Sequence, residues 1–327
     1  MDKGHVKLLP KNTLHYYNNS RLSEKIKIMH ELSTLKPGDS VEIIAPASRC
    51  SDNHLTAIKE LFESWQLNCI ISNDIFGEDL LCANADEIRF NSLKNALQNP
   101  TTKAIICARG GYGSMRLIPQ LTQLSPTASP KIFVGMSDIT ALNLYLQQQW
   151  QWPTIHSAPA LDKFSPASIA KLKAILFGDV SEVIFQAVPL NALAEKPLTI
   201  NASITGGNLC IAQTSIGTQW QINGDNKIIF LEEIGERGYR VDRMLEHLRQ
   251  AHVFKNAAAI LFGDFIEGNE PDGSSLINPV LKRFALTSEI PVIQVQGIGH
   301  GHTNFPVPLG TKTQLQLGDD IRVVCFR

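Results

Sequence analysis

Residues 131–140 read Lys131-Ile132-Phe133-Val134-Gly135-Met136-Ser137-Asp138-Ile139-Thr140. An apolar run, one glycine, a serine and then helix-forming residues describe a strand that turns sharply into a helix. A serine on such a turn stands at the end of a sheet, beside the positive end of a helix. The complete nucleophile-elbow pattern, G-x-S-x-G, is absent, because Ile139 takes the place of its second glycine. Read locally, the same serine is an ordinary helix N-cap. What favours chemistry is the place of this turn in the pattern around it.

Upstream, residues 40–45 form an apolar run (Val41, Ile43, Ile44) stopped by Pro46, and residues 67–72 and 103–108 form two more. Helical spacing fills 55–65 and 87–97. Strands and helices in alternation predict a parallel sheet with helices on both faces. Ligands of such sheets bind beyond the carboxyl ends of the strands. The loops after Ala45, Cys107 and Val134 all fall at that edge.

Downstream the pattern changes. Residues 161–200 hold one predicted helix, 166–176, within mixed sequence, and read as a linker region. Beyond it, residues 228–233 read as a strand. Residues 241–251 read as a helix, with Val241, Met244, Leu245 and Leu248 on one face. Residues 258–262 and 292–295 read as strands, and 313–324 as a closing strand pair around Gly318-Asp319. The predicted organisation is an N-terminal extension over 1–34, an α/β domain over 35–160, the linker, and a C-terminal domain over 201–327. The fold class is α/β: a flavodoxin-like parallel sheet flanked by helices, followed by a smaller, strand-rich α+β domain.

The chain has 327 residues, with 30 basic and 31 acidic side chains and a formal net charge of -1. No clustered basic excess marks a nucleic-acid surface. No segment approaches the roughly 18 apolar residues needed to span a bilayer, and the polar N-terminus is not a signal peptide. The six cysteines show no C-x-x-C spacing. They read as reduced thiols of a cytoplasmic protein, not as zinc ligands.

Three further segments carry chemistry. Arg109-Gly110-Gly111-Tyr112-Gly113 follows the 103–108 strand. It lacks the Gly-Lys-Ser/Thr of a P-loop and the third glycine of a dinucleotide fingerprint. It reads either as a tight structural turn or as half of an oxyanion hole, with the Asp138 N–H as the other donor. Glu232 and Glu233 end the 228–233 strand. Successive strand residues point to opposite faces, so only one of them can face a site. His300 and His302 flank Gly301. They offer either a general base oriented by a carboxylate or a pair of metal ligands, and no third ligand of suitable spacing completes a metal site.

Taken in order, these segments resemble the LD-carboxypeptidase family of serine peptidases, which includes murein tetrapeptide carboxypeptidases and microcin C immunity peptidases. The resemblance spans about residues 35–310. It rests on Leu35-Lys36-Pro37-Gly38-Asp39, on Arg109-Gly110-Gly111-Tyr112-Gly113 and on Gly135-Met136-Ser137-Asp138. Gly206-Gly207-Asn208-Leu209, Leu231-Glu232-Glu233 through Tyr239-Arg240-Val241-Asp242-Arg243, and Gly299-His300 with Pro308-Leu309-Gly310 complete it. Met136 stands where an aromatic residue is usual, and His156-Ser157-Ala158-Pro159 replaces His-Gly-Pro.

The resemblance implies a Ser137–Glu232–His300 triad, with the backbone N–H groups of Gly111 and Asp138 as oxyanion donors and with no metal or cofactor. It selects Glu232 over Glu233 and His300 over His302. It implies a cytoplasmic homodimer that hydrolyses the amide before a terminal D-amino acid, with a murein tetrapeptide as substrate. Candidate substrate contacts are Arg109 and Arg240 by charge, Tyr112 as an aromatic surface, and Asn208 in its motif. An immunity peptidase acting on aminoacyl nucleotides is the alternative. It would need an aromatic surface for adenine, for which Trp220 and Tyr112 are the candidates. A binding protein without turnover is a further alternative, disfavoured by the intact serine, glutamate and histidine.

Overall fold

The computed structural model describes residues 31–127 and 129–327. Residues 1–30 of the expected extension lie outside the described residues. Five strands enter the first sheet in chain order: β1 (Ser40–Ile44), β2 (Asn68–Ile70), β3 (Thr102–Cys107), β4 (Ile132–Val134) and β5 (Thr154–His156). They pair in parallel in the spatial order β2-β1-β3-β4-β5. The crossovers carry α1 (Asp52–Ser64), α2 (Asp86–Gln98), α3 (Ile118–Leu121) and α4 (Thr140–Tyr145).

Strand alternation explains why both faces are covered. In β3, Ala104 and Ile106 share a core with Ile58 and Phe62 of α1. Ile105 and Cys107, pointing the other way, join Leu93 of α2 and Leu142 of α4. Every crossover returns the chain to the same end, so the loops after β1, β3, β4 and β5 gather at one edge, as expected for the ligand edge of such a sheet.

Most of the remaining strands build a closed barrel. Before it comes α5 (Pro166–Phe177), started by Ser165, whose side chain accepts from the Ser168 N–H, and ended at Gly178. Then follow β6 (Glu182–Pro189), β7 (Leu198–Asn208), α6 (Leu209–Thr214), β8 (Lys227–Ile234), α7 (Gly238–Gln250), β9 (Ala259–Ile266), α8 (Ile277–Leu286) and β10 (Val292–Val295). The last strands are β11 (Val307–Leu309), β12 (Lys312–Leu317) and β13 (Ile321–Phe326). The barrel order is β10-β6-β13-β12-β7-β8-β9, with β7, β8, β9 and β10 running parallel.

Two expectations are corrected here. Residues 161–200 are not merely a linker, because α5 packs on the first sheet and β6 is a barrel strand between β10 and β13. The first sheet is not wholly parallel either. β11, from the far end of the chain, adds antiparallel to β5. That exchange ties the barrel to the edge of the sheet. In β8, Ile228 and Phe230 belong to one core, while Ile229 and Leu231 face outward onto Val241 and Leu245 of α7. No helix among the described residues is long and apolar enough to cross a membrane.

Candidate active site

The serine turn is strained. Met136 is extended, and Ser137 itself lies at φ 61°, in the left-handed region. A non-glycine residue there costs about 1–2 kcal/mol and persists only where the surroundings hold it. A short 3₁₀ turn, Ser137–Ile139, then leads into α4. No side-chain capping bond forms at this helix start, so Ser137 is not the N-cap that the local pattern also allowed. The next residue is firmly anchored. Asp138 Oδ2 accepts from the Ser114 N–H at 2.8 Å, and its carbonyl accepts from Ser114 Oγ at 2.7 Å. The peptide after the serine is therefore fixed at both ends of Asp138.

Glu232 and His300 meet across the barrel mouth. Glu232 continues the Phe230 face of β8 and is fully buried. Beside it the ladder between β8 and β9 shifts register, setting two residues of β9, Gly263 and Asp264, against Glu232 alone. The loop after β10 fills that gap. Its Gly299 sits at φ 128°, and a Cβ there would stand 2.9 Å from Glu232 Oε2. Only glycine lets the loop pass so close, and the passage brings His300 Nδ1 to 2.6 Å from Glu232 Oε2. The Asp264 carboxylate holds the loop from below by accepting the Gly297 N–H. Burial pushes the Asp264 carboxyl above its ordinary range.

The neighbouring candidates point elsewhere. Glu233 faces the opposite side of β8. There it accepts from the Asn208 side-chain amide at 2.9 Å and from the Cys210 N–H at 2.8 Å. Burial pushes its carboxyl up to about 7. His302 is exposed, and its Nδ1 lies 3.2 Å from the Lys163 carbonyl. Among the described residues, no group of three or more His, Cys, Asp or Glu side chains is arranged to hold a metal ion.

Ser137 and His300 line one cleft of about 490 Å³. Its walls are the gathered loops: Cys50 and His54 after β1, Arg109 to Gly111 after β3, and Lys163 with Phe164 after β5. Gly111, at φ 100°, is braced by Ser48, whose Oγ accepts the Tyr112 N–H at 3.0 Å. Of the predicted substrate contacts, Arg109 lines the cleft and donates to the Arg49 carbonyl. Three others do not line it. The Tyr112 ring is exposed, Asn208 caps α6 through its side-chain oxygen, and Arg240 is exposed on α7 against Glu236. Trp220, offered as an adenine surface, is buried, and its carbonyl accepts from Gln148. Sequence reasoning missed Lys163, in a stretch read as linker, and His156, whose buried ring lies against Glu232. The sequence signal for His156 was its place in His156-Ser157-Ala158-Pro159, the segment that stands where His-Gly-Pro is usual.

Both halves of the chain resemble known proteins. Residues 41–157 match the LD-carboxypeptidase N-terminal domain, and residues 201–315 match the LD-carboxypeptidase C-terminal domain. A Rickettsia conorii protein described as a carboxypeptidase is 38% identical over 315 residues, covering 93% of this chain and 98% of its own. The murein tetrapeptide carboxypeptidase of Pseudomonas aeruginosa is 28% identical over 304 residues, covering 88% of this chain and 97% of its own. The crystal structure of muramoyltetrapeptide carboxypeptidase from Oxalobacter formigenes superposes with a TM-score of 0.73 at 26% identity, covering 88% of this chain and 99% of that one. With both domains matched in order around a strained serine and a buried Glu–His pair, the chain belongs to the LD-carboxypeptidase family of serine peptidases.

Proposed function

We propose that Ser137, Glu232 and His300 form the catalytic triad of an L,D-carboxypeptidase that removes the terminal D-alanine from a murein tetrapeptide. The observation that carries this reading is the 2.6 Å contact between His300 Nδ1 and a fully buried Glu232, with His300 and Ser137 facing the same cleft. With Nδ1 held by the carboxylate, His300 Nε2 is the nitrogen left to act as base. It takes the Ser137 proton as Oγ attacks the scissile carbonyl, and Glu232 stabilises the imidazolium that forms. The amides of Gly111 and Asp138 receive the developing oxyanion. His300 then returns its proton to the leaving amine of D-alanine, and water, activated by the same ring, hydrolyses the acyl-serine.

An exopeptidase must also hold the free carboxylate of its substrate. Arg109 and Lys163 are the cations of the cleft wall. Asp162, the acid beside them, is paired with His54 at 3.4 Å. The parallel order β2-β1-β3-β4-β5 supports a flavodoxin-like first domain. Cytoplasmic placement in peptidoglycan recycling and a homodimer belong to the same reading. Sedimentation of the purified chain checks the dimer.

The test is release of D-alanine from purified murein tetrapeptide in the presence of EDTA. Wild type releases it, and Ser137→Ala lowers kcat by about 10⁴-fold or more. Equal release by both proteins removes Ser137 from the mechanism. Release by neither removes the murein substrate.

A further inference from the structure

β5 ends in His156, and its antiparallel pairing with Val307 of β11 fixes that position at the seam between sheet and barrel. The side chain is fully buried. The ring meets Phe230 edge-on, with centroids 5.0 Å apart and an interplanar angle of 87°. Its Nε2 lies 3.7 Å from Glu232 Oε1. His300 occupies the other carboxylate oxygen. Among the described residues, Glu232 Oε1 and both ring nitrogens of His156 have no hydrogen-bond partner.

A buried polar atom left without a partner costs roughly 1–3 kcal/mol. Two of these three atoms face each other, and closing their gap by about 1 Å gives an ordinary N–H···O bond. Burial pushes the His156 imidazole down to about 4, so the ring is a neutral single donor at the pH of turnover. A neutral donor suits this place. It stabilises a dry carboxylate without adding a cation that would compete with His300 for it.

We propose that His156 is a positioning residue for the triad: its Nε2–H donates to Glu232 Oε1 and thereby keeps Oε2 turned toward His300. The proposal rests on the triad reading. Without the second donor, the carboxylate is free to rotate about its last bond or to take up a proton, and either change weakens its hold on His300. The titratable groups around Glu232 are His300 from the loop after β10, His156 from β5, Asp264 from β9 and Glu233 beside it on β8. Removing a donor from the carboxylate makes the Glu232–His300 pair more basic. The acid limb of kcat/KM, which reports the protonation of that pair, then moves to higher pH.

Two variants separate packing from hydrogen bonding. His156→Phe keeps an aromatic ring against Phe230 and loses the donor, while His156→Gln keeps an N–H donor. On murein tetrapeptide, His156→Phe is expected to lose about 10- to 100-fold in kcat, with KM within about 2-fold of wild type. Its acid limb is expected to rise by about half a pH unit or more. His156→Gln is expected to recover most of the loss. A second readout needs no turnover. In ¹⁵N spectra of the histidine rings of the full chain at pH 7, His156 should be the neutral, Nε2-protonated tautomer, and Glu232→Gln should shift its Nε2 signal. Wild-type kcat and an unmoved acid limb in His156→Phe, or a His156 ring protonated at Nδ1, overturns the proposal. Full turnover by Ser137→Ala overturns the triad reading instead, and the ring spectra still decide whether His156 donates to Glu232.

Discussion

Gly110 and Ser137 touch across the two loops that frame the cleft. A Cβ on Gly110 would stand 2.7 Å from the Ser137 Cβ and 3.1 Å from its Oγ. The glycine turn after β3 is thus the wall against which the serine rests. A methyl group at 110 can be accommodated only by moving the serine. Gly110→Ala is therefore expected to lower kcat by about 10²-fold, the scale of an ångström's misplacement of a reacting group. The far-UV circular dichroism should be unchanged. Wild-type kcat in this variant would show that the serine is not held by this contact.

The left-handed backbone at Ser137 separates stability from activity. Alanine keeps the strain of φ 61°, whereas glycine relieves it. Both Ser137→Ala and Ser137→Gly should be inactive. Ser137→Gly should be the more stable by about 1 kcal/mol, or roughly 2 °C in Tm. Equal melting temperatures would mean that the strain is not stored at this residue.

Much of this was legible in the sequence where local pattern decides the outcome. The alternation of Phe230, Leu231, Glu232 and Glu233 already placed the two acids on opposite faces, and Glu233 indeed turns away to Asn208 and Cys210. The apolar stripe of Val241, Met244, Leu245 and Leu248 already defined α7. What escaped depends on partners far away in sequence. β6 carries apolar residues on both faces, with Val183 and Phe185 buried but Ile184 and Val188 exposed, so it showed no clean period. Its partner β13 lies more than a hundred residues away. β5 and β11 span three residues each, too few for any periodicity, and their pairing adds the edge strand to the first sheet. Arg240 and Tyr112 were chosen by side-chain type, which cannot say which way a residue faces. His156 stood in a motif position that said nothing of which residue its ring meets, and Lys163 gave no pattern at all.

The cleft wall makes a prediction about substrate affinity. If Arg109 or Lys163 grips the carboxylate of the terminal D-amino acid, replacing that residue with Met should raise KM about 10-fold or more and change kcat little. Arg240 sits outside the wall, paired with Glu236 at 3.1 Å. Arg240→Met should leave KM unchanged. Steady-state kinetics on murein tetrapeptide ranks the three. An effect of Arg240→Met alone would move the carboxylate site away from this cleft.

Glu233 predicts how stability depends on pH. Burial raises its carboxyl to about 7 in the folded chain, against an ordinary value near 4.5. The folded state therefore holds the proton more tightly than the unfolded state does. The stabilisation is complete below about pH 4.5 and is lost as pH climbs through 7, an effect on the order of 3 kcal/mol for a group this buried. The melting temperature of wild type should fall between pH 5 and pH 8. In Glu233→Gln, which cannot ionise, that slope should flatten, although its amide meets the Cys210 N–H less well and the whole curve should lie lower. Glu232 lies on the other face of β8 and Ser137 lies on the turn after β4, so the slope should persist in Ser137→Ala. An unchanged slope in Glu233→Gln would assign the pH dependence to another group, with Asp264, whose carboxyl is also raised by burial, as the next to replace.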